Sequence, residues 1–303
     1  MDKLTQIEAF VTAVEKGSLA RAALAQGITP AMVGRRIDAL EQRLGAKLLH
    51  RTTRQLTLTE QGTVFLDDCR KLLGDLDSAE QNISEGRHKA TGHLIVSAPA
   101  SFGRQHVAPH ASVFMAANPD VRISFNLTDL VIDLAREGYD MGIRIGGAID
   151  PNFVAIKLAS NRRVVCATPN YLQRHGTPQT LEDLALHNCL AFNLQGGQQR
   201  GWYFQKDGKP VTIKVHGNLD CNDGELLYRW ASEGLGLAWR STWEIQSQLA
   251  AGSLITVLDN YALPDYNIMA VYPQQRHVPA KIRFFIDTLK SLYAQPGYWT
   301  QKS

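Results

Sequence analysis

Arg35 and the run Arg51-Thr52-Thr53-Arg54 are the places where residue type and spacing in this chain point to a definite chemistry. Arg35 lies in "ITPAMVGRRIDALEQRLG", residues 28–45, where Val33, Ile37, Leu40 and Leu44 recur at helical spacing and form one buried side. A rotation of about 100° per residue puts Ala31, Arg35, Asp38 and Gln42 on the opposite side, with Met32 beside them. An outward guanidinium near the start of a helix can pair bidentately with O6 and N7 of guanine. Two arginines flanking two hydroxyls, at the tip of a short ribbon suggested by Leu48, Leu56 and Leu58, suit phosphate oxygens or the minor groove. This is recognition of a polyanion, with no bond made or broken. Catalytic chemistry is not indicated, because neither a G-x-S-x-G turn nor a Gly-rich phosphate loop occurs. No metal and no cofactor are expected.

Three helical patterns must position Arg35. Leu4, Ile7, Phe10, Val11 and Val14 make the apolar stripe of a first helix that ends near Gly17. Ser18 then suits the cap of a short alanine-rich helix, "LARAALAQ", closed by Gly27. Thr29 caps the third helix, Pro30 suits its first position and Gly45 stops it. Two short helices joined by a tight glycine-containing turn are the signature of a helix-turn-helix, whose second helix enters the DNA major groove. Gly34 stands inside that helix, where glycine costs about 1 kcal/mol relative to alanine. Either it lets the backbone approach the groove wall or the preceding helix, or it is tolerated without a role. The expected DNA contacts are Ser18, Thr29, Pro30, Ala31, Met32, Gly34, Arg35, Arg36, Arg51, Thr52, Thr53 and Arg54. Charge agrees: residues 1–59 hold nine Lys or Arg against five Asp or Glu, whereas the whole chain is only +3.

The stretch "IEAFVTAVEKGSLARAALAQGITPAMVGRRIDALEQRLGAKLLHRTTRQLTLTEQG" resembles, without gaps, the winged helix-turn-helix of LysR-type transcriptional regulators. The resemblance implies a bacterial transcription factor whose recognition helix runs through "TPAMVGRRIDALEQRLG". It departs at Gly34, where the family usually has serine, so a hydroxyl able to touch the DNA backbone is missing.

Thr59 can cap the next helix, in which Phe65, Cys69, Leu72, Leu76, Ala79 and Ile83 follow an a/d heptad spacing. Such a seam buries itself on the rest of the chain or on a second copy. A reader of two half-sites needs two heads, which favours a homodimer. In the resembled family the equivalent helix is the dimer seam and linker, and dimers usually pair into tetramers.

Beyond "HKATGH", strand-like runs ("LIVSA", "RISFNL", "MGIRIG", "VAIKLA", "VVCAT", "CLAFN", "GLGLAW", "IMAVYP") alternate with helical candidates near 103–117, 129–137, 223–233 and 279–293. Alternation argues for mostly parallel sheets covered by helices, and the number of strands for two subdomains. The body also resembles the effector domain of LysR-type regulators, similar in fold to periplasmic solute-binding proteins. The expected fold class is therefore α/β: an N-terminal all-α winged helix-turn-helix (1–59), a linker and dimerisation helix (60–90), and a C-terminal periplasmic-binding-protein-like (type 2) domain (91–303). In that domain one subdomain takes 92–160 and 268–295, the other 161–267.

Ligands of such sheets bind beyond the carboxyl ends of the strands, where helix N-termini favour anions. The expected effector contacts are Ala100, Ser101, Phe102, Thr128, Asp129, Arg144, Gly146, Thr168, Phe192, Asn193, Asn222 and Asp223. Each hydroxyl, Asn or Asp serves equally well as a cap or turn residue. Arg144 can hold a ligand carboxylate or pair with an internal acid. Trp239 and Trp243 stand one turn apart if "GLGLAWRSTWEI" is helical, a spacing that reads as packing rather than ligand stacking.

The remaining features bound the reading. The chain's 303 residues carry no run of about 18 apolar residues, and "MDKLTQIEAFVTAV" has no secretory signal pattern. The four cysteines are dispersed without a C-x-x-C pair, as in reduced proteins of the cytoplasm. The expected protein is a cytoplasmic, nucleoid-associated, non-enzymatic regulator. Its partners are double-stranded promoter DNA, a small and acidic effector, its own second copy and RNA polymerase. A solute-binding protein or an α/β enzyme are the competing readings, and neither would bind duplex DNA with a steep salt dependence.

Overall fold

The computed structural model describes residues 2–51, 56–84, 89–130, 132–193, 201–275 and 277–300. Thr52, Thr53, Arg54 and the side chains of Arg51, Ala79 and Ile83 lie outside the described residues. The chain divides into two compact units, Met1–His88 and Lys89–Ser303.

In the first unit, α1 (Lys3–Lys16), α2 (Leu19–Gln26) and α3 (Pro30–Leu44) precede a ribbon of β1 (Leu49–Arg51) and β2 (Leu56–Leu58), then α4 (Glu60–Ser84). Local chemistry sets these limits. Gly17, Gly27 and Gly45 end the three helices in left-handed backbone. Ser18 Oγ accepts the Arg21 N–H and Thr29 Oγ1 accepts the Met32 N–H. Phe10, Ala13, Ala22, Val33, Ile37, Leu40 and Leu48 fill the core, where alanines let the helices approach closely. Burying a side chain such as Phe10 contributes about 1.5–3 kcal/mol.

The stripe of α3 ends differently from the sequence expectation. Leu44 is 39% exposed, and Glu41 is buried at 3%. The chain reverses at Gly45, which brings the Leu48 and Leu49 N–H groups onto Glu41 Oε1 at 2.9 and 3.1 Å. A carboxylate at that point satisfies two donors that a leucine would leave orphaned. Thr59 Oγ1 then donates to the Lys47 carbonyl and accepts the Gly62 N–H. At Gly62 a Cβ would stand 2.0 Å from the Leu48 carbonyl oxygen, so only glycine permits α4 to pack there.

The heptad seam of α4 begins inside this unit. Cys69 is buried with Leu66 in the head's core, and Phe65 packs its ring 5.9 Å from Phe10. Leu72, one heptad beyond Phe65, is 46% exposed.

The second unit holds two five-stranded sheets. Strands β3 (Gly92–Ala98), β4 (Val121–Leu127), β5 (Met141–Ile145) and β6 (Phe153–Ala159) belong to the first. Strands β7 (Arg163–Ala167), β8 (Cys189–Phe192), β11 (Asp220–Cys221), β12 (Leu237–Ser241) and β13 (Ile255–Val257) make the second. The chain then returns to the first sheet as β14 (Ile268–Pro273). The orders are β4-β3-β5-β14-β6 and β11-β8-β12-β7-β13. Both sheets are mixed rather than mostly parallel, since β14 runs antiparallel to β5 and β6, and β7 antiparallel to β12 and β13. A separate hairpin, β9 (Trp202–Lys206) and β10 (Lys209–Ile213), turns at Asp207-Gly208, both with positive φ. The helices are α5 (Ala100–Phe102), continuing through a π turn and a 3-10 turn into α6 (Ala111–Ala117), then α7 (Pro169–His175), α8 (Gly224–Ser232), α9 (Thr242–Ala250) and α10 (Ala280–Tyr293).

Two expectations are corrected. The described residues between 129 and 137 form no helix: Asp133 Oδ1 accepts the Ala135 and Arg136 N–H groups and caps a single turn that ends at Gly138. Trp239 lies in β12 and Trp243 on α9, so the two do not share a helix. Among the described residues, no helix is long and apolar enough to cross a membrane.

Candidate DNA-contact face and ligand cleft

In the head, the N-terminal turns of α3 carry Pro30, Ala31, Met32 and Arg35 into solvent, with Thr29 exposed as their cap. Arg35 makes no hydrogen bond or ion pair with another described residue, so its guanidinium is available to a base edge. Arg36 is occupied, donating Nη1 to Gln26 Oε1 on α2 at 3.4 Å, and Gln26 in turn donates to Thr12. That chain of bonds ties α3 to α2 and α1. Gly34 is half-buried on the flank between the two faces. Ser18 is half-buried and its hydroxyl is spent on Arg21.

In the body, a cleft of about 1230 Å³ opens between the two sheets at the carboxyl ends of β3, β4, β5, β8 and β12. Ser101, Phe102, Thr128, Asp129, Arg144, Gly146 and Phe192 line it. Gly146 is there by necessity, because its φ is +61° and a Cβ would stand 2.1 Å from the Tyr266 ring. Ala100 is close by but serves through its backbone, donating its N–H to Asp129. Thr168, Asn193, Asn222 and Asp223 do not line the cleft. Thr168 and Asp223 cap α7 and α8, accepting the Tyr171 and Leu226 N–H groups. Asn193 donates to Asp220, and Asn222 is exposed.

Arg144 is half-buried and donates to the carbonyls of Ile143 and Ile132 at 3.2 and 3.3 Å. No described carboxylate pairs with it. Burial pulls its pKa below the ordinary arginine value, the sign of a cation without a counter-charge. A guanidinium has five N–H donors, so capacity for an anion remains.

Sequence reasoning missed three features of the lining. Arg163 stacks its guanidinium over Trp239 at 4.6 Å and Tyr266 at 5.3 Å, a cation–π arrangement. Arg240 is buried and paired with Glu244, donating Nε and Nη2 at 2.7 Å each. Burial alone would lower its pKa, but Glu244 raises it above the ordinary value. Trp243 lines the cleft edge-on to Phe102, 5.1 Å between rings, with its indole N–H unpartnered. Arg163 begins a strand-like run, yet nothing local says that a strand from the other half of the fold will face it across a cleft.

Behind Phe102, His106 and His110 stand four residues apart, a spacing that metal ligands also use. Here both face the Tyr298 hydroxyl, at 3.1 and 2.7 Å. Burial lowers the His106 pKa to about 4, so it is neutral at physiological pH. Among the described residues no group of three His, Cys, Asp or Glu could hold a metal ion.

Two family models match separate segments of the chain. Residues 4–63 match the family model described as a bacterial regulatory helix-turn-helix protein of the lysR family. Residues 87–294 match the LysR substrate binding domain. The HTH-type transcriptional regulator DmlR of Escherichia coli K12 is 36% identical over 292 residues, covering 96% of this chain and 95% of that protein. The HTH-type transcriptional activator TtdR of the same strain is 33% identical over 283 residues, covering 93% and 91%. The full-length structure of AphB, a Vibrio cholerae virulence activator and a member of the LTTR protein family, superposes with a TM-score of 0.56. It is 30% identical and covers 96% of this chain and 100% of that one.

Proposed function

From the premise that this chain belongs to the LysR family of transcriptional regulators, we propose how its parts divide the work. It is a DNA-binding regulator controlled by a small molecule. Arg35, with Ala31 and Met32 beside it, reads base edges in the major groove. Arg51, Thr52, Thr53 and Arg54 hold phosphate or the minor groove. The effector is a small anion seated in the body's cleft, with Arg144 as its charged anchor and Arg163 and the aromatic rings around its remainder. The observation that carries this reading is the half-buried Arg144 guanidinium, which lines the cleft and has no carboxylate partner among the described residues. The chain acts as a regulator and not as an enzyme, on promoter DNA in the cytoplasm.

The partner for α4 is a second copy of the chain. Phe65 and Cys69 are used by the head itself, so the free part of the seam starts at Leu72, and Leu76, Ala79 and Ile83 continue its heptads. Leu72 is exposed, and an apolar seam that continues at heptad spacing needs a partner to leave water. Two dimers forming a tetramer, and contact with RNA polymerase, extend the same reading.

Footprinting of the bound DNA, with and without metabolite extract, tests both halves. The expected result is discrete two-fold-symmetric sites whose footprint changes with the extract; absence of discrete sites would overturn the reading of the head. Arg35→Ala should cost about 1–3 kcal/mol of DNA affinity and relax preference at one base pair. Arg54→Ala should weaken binding to all duplexes alike, and the opposite pattern would exchange the roles of helix and wing. Arg144→Ala should bind DNA as the parent does while needing about tenfold to thirtyfold more extract for the same footprint change, the loss of one charge-assisted contact. An unchanged response would remove Arg144 from the site.

A further inference from the structure

Two acidic side chains cross between the subdomains of the body in opposite directions. Asp129 follows β4 in the subdomain of the first sheet, and its two oxygens go to different places. Oδ1 accepts the Ala100 N–H at 2.9 Å, at the start of α5 in its own subdomain. Oδ2 accepts the Gly224 N–H at 3.2 Å, at the start of α8 in the other subdomain. Glu225, the next residue on α8, returns the contact. Its Oε2 accepts from Ser101 Oγ at 3.1 Å and from Gln105 Nε2 at 3.4 Å, both on the α5 side.

The surroundings hold this crossing in place. Arg240 donates Nη2 to the Gly224 carbonyl at 2.8 Å while Glu244 accepts from its Nε and Nη2. A Cβ at position 224 would stand 3.2 Å from Arg240 Nη2 and 3.6 Å from Asp129 Oδ2, so glycine keeps the approach open. The groups so engaged include the Ser101 hydroxyl, which lines a cleft expected to receive an anion, and the Ala100 N–H beside it. The protein's own carboxylates occupy them instead.

We propose that Asp129 and Glu225 form a reciprocal carboxylate strap that closes the two subdomains on each other in the effector-free protein, and that the effector acts by competing with Asp129 for the Ala100 and Gly224 N–H groups. This rests on the reading of the cleft as the effector site. A ligand shifts a conformational equilibrium only by binding two states unequally. The strap supplies those two states. With Asp129 in place, an anion held by Arg144 meets a like charge across the cleft; with Asp129 withdrawn, it meets two free N–H donors.

The test uses the full chain with Asp129→Ala and sodium acetate as the probe, against sodium chloride at equal ionic strength. Acetate carries the same carboxylate as the missing side chain. The variant should melt below the parent and regain about 3 °C with saturating acetate, while the parent gains nothing. Asp129→Asn, which keeps the side chain's shape and one acceptor, should fold and lose hydrogen-exchange protection at Ala100 or Gly224. No acetate-specific gain in Asp129→Ala, or unchanged exchange at both amides in Asp129→Asn, would overturn the strap. So would an Asp129→Ala footprint on DNA, without metabolites, identical to that of the untreated parent. These readouts need no effector. Failure of the cleft reading shows separately, as an Arg144→Ala protein that keeps its response to extract.

Discussion

Arg240→Met should destabilise the body by about 3–5 kcal/mol, the range for breaking a buried ion pair from one side. Arg240 and Glu244 have side chains 8% and 3% exposed, and their closest approach is 2.6 Å. Removing the guanidinium leaves the Glu244 carboxylate in a low-dielectric site without its counter-charge. It also orphans the Gly224 carbonyl, to which Arg240 donates. Methionine keeps most of the volume, so the loss reports charge and hydrogen bonding rather than a cavity. The readout is selective, because Trp202, Trp230, Trp239, Trp243 and Trp299 all lie beyond residue 88. Urea unfolding followed by tryptophan emission therefore reports the body alone. The double variant Arg240→Met/Glu244→Leu should recover much of the loss, since replacing both members of a buried pair by apolar groups is often close to neutral. A double variant as unstable as the single one would place the main role of Arg240 in holding Gly224.

The difference between what was and was not legible in the sequence is the difference between local and non-local causes. The limits of α2 and α3 were legible because Ser18, Thr29, Gly27 and Gly45 act within a few residues of themselves. The eight principal strands were legible as runs of β-branched and apolar residues. The β9–β10 hairpin was missed although Asp207-Gly208 is a strong turn pair, since its flanking strands carry little alternation. Residues 129–137 read as a helix because Leu130, Leu134 and Glu137 are spaced like one. The competing force was Asp133, whose short side chain offered the backbone a single capped turn. In the cleft, Ser101 and Phe102 were legible as residues following a strand, and Arg144 as the charged residue near the carboxyl end of one. Arg163 and the partners of Asp129 were not, because the Asp129 contacts join residues 29 and 95 positions apart. Thr168 and Asp223 lie outside the cleft lining, and the property that made them visible explains their place: good helix caps spend their oxygens on the cap.

Glu41→Ala should cost the head about 2–4 kcal/mol, through two buried N–H groups left without an acceptor. The carboxylate serves Leu48 and Leu49 with Oε1 and Lys47 with Oε2, the last at 2.7 Å. Lys47 is largely exposed, so the two backbone contacts carry most of the effect. Glu41→Gln keeps an acceptor and should lose less. The pH dependence has a definite sign. Burial pushes the Glu41 carboxyl up, but Lys47 and the two N–H groups outweigh it and hold the pKa below its ordinary value of 4.5. A depressed pKa means that the ionised form contributes stability above that ordinary value and loses it as pH falls through the folded-state value. The gap between the parent and Glu41→Gln should therefore be full at neutral pH and shrink in acid, measured by hydrogen exchange at Leu48 and Leu49. A gap that stays constant into acid would show that shape, not charge, matters at this position. DNA binding should separate from stability in the same variant. Glu41 is buried at the start of the ribbon, whereas Arg35 stands on the exposed face of α3. Loss of Glu41 should thus weaken binding to all duplexes alike, while the base preference set by Arg35 persists.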